Sequence, residues 1–216
     1  MNYEIIIVGG GMVGLSIAYQ LLERKLVKKI AIIDKEPTLG MHSSGRNSGV
    51  LHAGLYYKPD TLKARVCVNG SRRLREWVEE RSLPINTCGK IIVAQTAELD
   101  SQLDLLASRG RANGAKVEFL DSNQLKELIP EARSASNRAI WSPNTVVVKP
   151  ISIIRYLKDE LCDRGVTFYY ENNILQSKLM KKSIKLYSGQ TLNYGHLFNC
   201  AGLFADKVAH QFGIGC

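Results

Sequence analysis

The 216-residue sequence is short of the features that mark several protein classes. Aromatic residues make up only 7%, and no basic stretch is interleaved with them. Nucleic-acid binding is therefore not expected, despite a formal net charge of +9. The basic residues sit in small knots, Lys28-Lys29, Arg72-Arg73 with Arg75, and Lys181-Lys182, as solvated helix ends and loops do. A positive field that draws anionic substrates is the other reading of that charge. The five cysteines, Cys67, Cys88, Cys162, Cys200 and Cys216, form no C-x-x-C pair. Their odd number argues against a disulfide scaffold and for a reducing, cytoplasmic setting. Four histidines without an i, i+4 pair give no metal site. Residues 5–22 are apolar, but no basic segment precedes them and three glycines, a serine and a glutamine interrupt them. They read as a buried strand, a turn and a helix, so no transmembrane segment is expected.

Charged residues at 23% and hydrophobic residues at 45% are ordinary for a soluble globular chain with a real core. Residues 3–8 form a β-branched run that ends in glycine, and residues 13–24 carry a helical apolar stripe at Val13, Ile17, Ala18, Leu21 and Leu22. Residues 29–33 are apolar again and end at Asp34. This is a βαβ unit with parallel strands and a right-handed crossover.

Residues 37–58 are too broken for a long element. Asp60 could cap a helix to about Arg81, interrupted near Gly70. Strands are expected at 90–94, 117–120, 139–141 and 146–148, and a helix at 97–112. Asp121 with Gln124 resembles a capping box for a helix that Pro130 ends. Pro150 suits the first position of a helix that stops at Gly165. A strand at 166–170, a hairpin over 174–187, a strand at 196–200 and a helix at 203–212 complete the chain.

Gly9-x-Gly11-x-x-Gly14 follows the first strand and opens the first helix. One glycine makes the turn, one lets a pyrophosphate approach the backbone, and one lets helix and strand pack closely. The helix start, at Met12 and Val13, offers amide N–H groups and partial positive charge to phosphate. Asp34 lies 20 residues past Gly14, where a carboxylate can accept from ribose hydroxyls. NAD and FAD both require this turn and this acid. The Gly-, Ser- and Asn-rich residues 40–57 could wrap a large ligand, or form a plain surface loop. The turn at Cys200-Ala201-Gly202 is a second place where backbone could approach the cofactor.

These residues resemble the FAD-dependent L-2-hydroxyglutarate oxidase/dehydrogenase group of the D-amino-acid-oxidase-like flavoproteins. The run NSGVLHAGLYY at 47–57 carries most of the likeness. NTCGKIIVA at 86–94, SPNTVVV at 142–148 and NCAG at 199–202 follow in the order of that family. Two positions depart from it: Arg46 stands where histidine is frequent, and Val146 where glycine is frequent. Chains of the family are nearly twice as long, so the sequence reads as an N-terminal half.

The resemblance implies an α/β fold, a Rossmann-like FAD-binding domain with an inserted, incomplete α+β substrate domain. Residues 1–81 and 146–216 would form the first, and 82–145 the second. It implies that Gly9, Gly11, Met12, Val13 and Gly14 line the pyrophosphate and that Asp34 and Lys35 hold the adenosine ribose. Ser43, Ser44, Asn47 and Ser48 would run along phosphates and flavin, and Arg46 is either a flavin or phosphate neighbour or a solvated arginine. The backbone of Ile174 would meet the adenine, and Ala201 and Gly202 would return to the cofactor. His52 is the candidate base for oxidising a 2-hydroxy acid, because an imidazole takes a proton near neutral pH. A histidine that only contacts cofactor or a carbonyl is the competing reading. His42, His196 and His210 are expected to be ordinary residues. The implied reaction converts L-2-hydroxyglutarate to 2-oxoglutarate and passes electrons to a quinone or another acceptor, with peripheral membrane contact compatible. An amine- or amino-acid-oxidising flavoenzyme and a cofactor-binding fragment without activity are the alternatives.

Overall fold

The computed structural model describes residues 1–215; Cys216, counted among the thiols, lies outside them. The chain begins β1 (Asn2–Val8), α1 (Met12–Glu23), β2 (Ile30–Ile33), β3 (Val50–Leu51), α2 (Leu62–Glu80) and β4 (Ile85–Asn86). It continues through β5 (Lys90–Val93), α3 (Asp100–Ala112), β6 (Glu118–Asp121), α4 (Ser122–Leu128), β7 (Arg138–Ser142) and β8 (Val146–Val148). It closes with α5 (Pro150–Asp163), β9 (Thr167–Tyr169), β10 (Ile174–Lys178), β11 (Ser183–Leu186), β12 (Thr191–Asn199) and α6 (Ala205–Gln211).

Two compact units result. Residues 1–47 join the stretch from Pro150 onward in the first, and Ser48–Lys149 form the second. The sequence placed the breaks at 81/82 and 145/146. The divide falls elsewhere because β3 and β4 both hydrogen-bond to β8, which ties residues 50–86 to 146–148.

The first unit is a six-stranded sheet in the order β10-β11-β12-β1-β2-β9. The four strands from β12 to β9 are parallel, and β10 and β11 extend the edge as an antiparallel hairpin. β1 and β2 are almost wholly buried, as the middle of a sheet covered on both faces must be. Ile6, Val8, Ala31 and Ile33 point to one face, into a cluster with Ile174, Ile184, Leu186 and Leu192. Ile7 points to the other face, towards Gly14 of α1. Each fully buried isoleucine here contributes about 1.5–3 kcal/mol. Residues 5–22 are thus spent on β1 and α1, and no helix among the described residues is long and apolar enough to cross a membrane.

The second unit holds two three-stranded sheets, β3-β8-β4 and β5-β7-β6. Leu55, Leu103, Ala107 and Ile140 form its main cluster, with α3 laid over β7. The capping box is present: Asp121 accepts from the Gln124 amide, and the Gln124 side chain accepts from the Asp121 amide.

Three local expectations change. Thr61, not Asp60, caps α2, with its Oγ1 accepting from the Ala64 amide at 3.2 Å. α2 also runs unbroken past Gly70, since one interior glycine costs only about 1 kcal/mol. The last strand starts at Thr191 rather than 196, because it pairs with β11 on one side and β1 on the other.

Candidate functional site

A crevice of about 440 Å³ opens at the carboxyl ends of β1, β2 and β12, within the first unit. A parallel α/β sheet leaves its crevice at this edge, where loops diverge to opposite faces. Gly9, Gly11, Asp34, Ser44, Ile174 and Gly202 are among its walls.

The glycine loop is shaped by contact with backbone. Gly9 has φ +106°, and a Cβ there would strike the Cys200 carbonyl at the end of β12. A Cβ on Gly14 would strike the Gly9 carbonyl, so α1 could not lie as close to β1. The turn keeps the first amides of α1 at the crevice edge, where an anion is favoured. Gly11, at the N-cap position, has no side chain to satisfy them. Ser44 does so from another loop: its Oγ accepts from the Met12 amide at 3.0 Å. Replacing Ser44 by alanine is expected to cost about 0.5–2 kcal/mol of stability, the range for a lost helix cap, and to weaken cofactor retention. Chemical denaturation and the flavin content after gel filtration check this.

The Asp34 side chain ties the glycine loop to the turn that follows β2. Its Oδ2 accepts from the Gly10 amide at 2.7 Å and its Oδ1 from the Glu36 amide at 3.0 Å. A carboxylate has about four acceptor sites, so capacity remains for ribose hydroxyls.

Lys35, expected at the cofactor, sits in a cluster whose other members sequence reasoning missed. Glu36 pairs with Lys35 and, at 2.7 Å, with His42 Nε2. The Lys35 ammonium first, then His42, hold the Glu36 carboxyl below the usual carboxylate range. The Lys35 and Lys207 ammonium groups lie 4.8 and 5.2 Å from the centre of the Phe204 ring, and His42 meets the ring edge-on. All five residues line the crevice. His42 is therefore a wall residue rather than an ordinary surface histidine. Its position after Lys35 and Glu36 in a Gly- and Ser-rich loop was the available signal.

The remaining expected cofactor residues are placed as follows. Ser43, Ala201 and Gly202 line the crevice, as does the buried Ile174. The Ile174 carbonyl accepts from Gln211 Nε2 at 2.9 Å. Val13 and Arg46 are exposed and not among the lining residues. Asn47 also stands off the wall, with its amide donating to the carbonyls of Ser43 and Ser44 at 3.0 Å. Ser48 belongs to the second unit.

His52 follows β3 in the second unit. Its ring meets the Tyr56 ring edge-on, with centroids 5.9 Å apart. Partial burial, and after it the Lys90 ammonium, lower the imidazole pKa from its ordinary value. A lowered value keeps the ring neutral, the form that accepts a proton.

Comparison with known proteins gives these features a context. A family model described as DAO, FAD dependent oxidoreductase, matches residues 4–215. The mitochondrial L-2-hydroxyglutarate dehydrogenase of Caenorhabditis elegans is 39% identical over 98% of this chain and 50% of its own length. The L-2-hydroxyglutarate dehydrogenase of Escherichia coli (strain K12) is 30% identical, again over 98% of this chain and 50% of its own length. The chain spans about half the length of the curated relatives it matches. Among solved structures, glycine oxidase from Geobacillus kaustophilus superposes with a TM-score of 0.85 at 21% identity, covering 98% of this chain and 58% of that one. The FAD-bound L-alpha-glycerophosphate oxidase of Mycoplasma pneumoniae gives 0.83 at 22%, covering 98% and 57%. These likenesses establish the α/β fold expected from sequence.

The crevice suits FAD on its own chemistry. Its glycine-lined wall admits a diphosphate, α1 supplies amides, and the Asp34 carboxylate keeps acceptor capacity beside them.

Proposed function

Since this chain belongs to the FAD dependent oxidoreductase family, we propose that it is the FAD-binding part of an enzyme that oxidises L-2-hydroxyglutarate to 2-oxoglutarate. The observation that carries the reading is identity of 30–39% over 98% of the chain to L-2-hydroxyglutarate dehydrogenases of nematode and bacterial origin. Bound FAD supplies the two-electron acceptor. The chain's own residues do the rest. Gly9 and Gly11 leave room for the diphosphate, Gly14 lets α1 lie close enough to present its first amides, and the diphosphate would take the Val13 amide and replace Ser44 on the Met12 amide. Asp34, with Lys35 beside it, receives the adenosine ribose, and Ile174 walls the adenine. Ser43, Ser44, Ala201 and Gly202 border the remainder of the cofactor. Asn47 holds the loop that carries the serines through its bonds to the Ser43 and Ser44 carbonyls.

His52 takes the substrate's hydroxyl proton on its imidazole while the α-carbon gives up its C–H bond and electron pair. Neutral imidazole suits that task, and the lowered His52 pKa supports it. Electrons would then pass to a quinone or another acceptor.

The test is anaerobic mixing of the purified yellow protein with L-2-hydroxyglutarate. Bleaching of the flavin is expected, with 2-oxoglutarate formed in equal amount. A flavin that stays yellow with this acid but bleaches with an amino acid assigns the chain to the amine-oxidising relatives instead.

A further inference from the structure

Lys90 is the first residue of β5, and its place is fixed from both sides. Gly89 before it has φ +66°, and a Cβ there would overlap the Trp141 ring. The Gly89 amide donates to the Thr145 carbonyl at 3.0 Å. Lys90 itself pairs with Ser142 across β5 and β7, and the Ser142 and Thr145 hydroxyls meet at 3.1 Å in the interior. The runs CGK and SPNT thus form one frame that aims a lysine.

The ammonium so placed has an unusual set of neighbours. Lys90 Nζ donates to the Tyr56 hydroxyl at 2.5 Å and lies 4.3 Å from the centre of that ring. Among the described residues it forms no ion pair with a carboxylate. His52 meets the other side of the arrangement through its edge-on contact with Tyr56. Lys90 is half-buried, whereas Tyr56 and His52 remain exposed and so reachable by a solute.

Counting donors gives the site its chemistry. An ammonium has three N–H groups, so two remain after Tyr56 is served. Tyr56, accepting from Lys90, keeps its own O–H to donate. A cation and a hydroxyl donor next to a neutral imidazole form a receptor for a carboxylate adjoining a proton acceptor.

We propose that Lys90 and Tyr56 seat a carboxylate of the substrate beside His52, which makes Lys90 a specificity-determining residue for acids. The proposal deepens, and rests on, the 2-hydroxy-acid reading above. Among the described residues, the charged and titratable groups shown to act on or contact His52 are Lys90 from β5, Tyr56 from its own loop, and Cys67 of α2, whose Sγ reaches the His52 backbone carbonyl at 3.6 Å. A carboxylate on Lys90 offsets a charge that holds the His52 pKa down, so its arrival raises that pKa.

Glutarate, a dicarboxylate with no hydroxyl to lose, serves as the probe, with the His52 ring followed by NMR titration in the flavin-loaded protein. Glutarate is expected to bind and raise the His52 pKa. Lys90→Met is expected to weaken that binding about 10- to 100-fold, and Lys90→Arg to recover most of it. In turnover Lys90→Met raises KM for L-2-hydroxyglutarate by the same factor, with kcat changed less than about threefold. Tyr56→Phe, which removes one oxygen and keeps the ring, weakens glutarate about 2- to 10-fold and carries the test if Lys90→Met does not fold. Equal glutarate affinity in the variants and the unaltered protein overturns the proposal, as does a His52 resonance indifferent to glutarate. Failure of L-2-hydroxyglutarate to bleach the flavin strikes the reaction assignment alone, because the glutarate comparison needs no turnover.

Discussion

Replacing His52 by glutamine is expected to lower kcat for L-2-hydroxyglutarate by about 100- to 10,000-fold while the protein stays yellow. Glutamine keeps polarity and approximate size but has no site that takes a proton near neutral pH. The pH profile separates this cause from a mere change of shape. Partial burial and the Lys90 ammonium both disfavour imidazolium, so the folded-state pKa lies below the ordinary 6.5. The neutral, competent ring therefore persists above that lowered value, and kcat/KM falls as the pH drops through it. His52→Gln should lose this acid limb along with the rate. A limb that survives the substitution assigns it to another group. A variant that is colourless as purified makes His52 a cofactor contact instead, the competing reading of this residue.

Gly9→Ala is expected to destabilise the protein by about 2–4 kcal/mol and to leave it without flavin. The substitution adds one methyl group, yet two costs combine. At φ +106° an L-side chain is strained, and the new Cβ would meet the Cys200 carbonyl. Neither partner can yield cheaply. The Gly9 amide donates to the Ile33 carbonyl at 2.8 Å, and the Cys200 amide to the Val8 carbonyl at 2.8 Å, so a shift breaks the rungs that hold β1 between β2 and β12. Denaturant melts give the stability loss, and absorbance after gel filtration gives the flavin. Near-normal stability with bound flavin contradicts the geometry at this turn.

Much of the first unit was legible because its signals are local. The apolar runs of β1 and β2, the stripe on α1 and the glycine spacing are each set within a few residues, and Asp34 follows from where β2 must end. The capping box at Asp121 and the proline start of α5 were legible for the same reason. Distant pairing was not. Nothing near residue 48 says that Val50 and Leu51 will pair with Val147 and Val146, so the unit boundary was displaced. The cap of α2 moved by one residue because Asp60 takes up φ +63°, which leaves Thr61 to turn its hydroxyl to the helix. In the candidate site the loop from Lys35 to Asn47 follows turns with no period, so the contacts of Glu36 with His42 and of Ser44 with Met12 carried no pattern to read. Lys90 was hidden differently. Its meeting with Tyr56 bridges 34 positions and depends on how β5 lies against β7.

The neighbours of β1 have a consequence for how the protein is made. One side of that strand is closed by β2, about 25 residues onward, but the other waits for β12, some 190 residues later. At ribosomal speeds of about 5–20 residues per second, the opening strand stands half-paired for roughly 10–40 seconds after it emerges. Ser48–Lys149, by contrast, is continuous in the chain and can close its own contacts during that interval. The nascent polypeptide is thus expected to protect Ser48–Lys149 from added protease before β1, and chaperones that shield bare strand edges should find their substrate in Asn2–Val8.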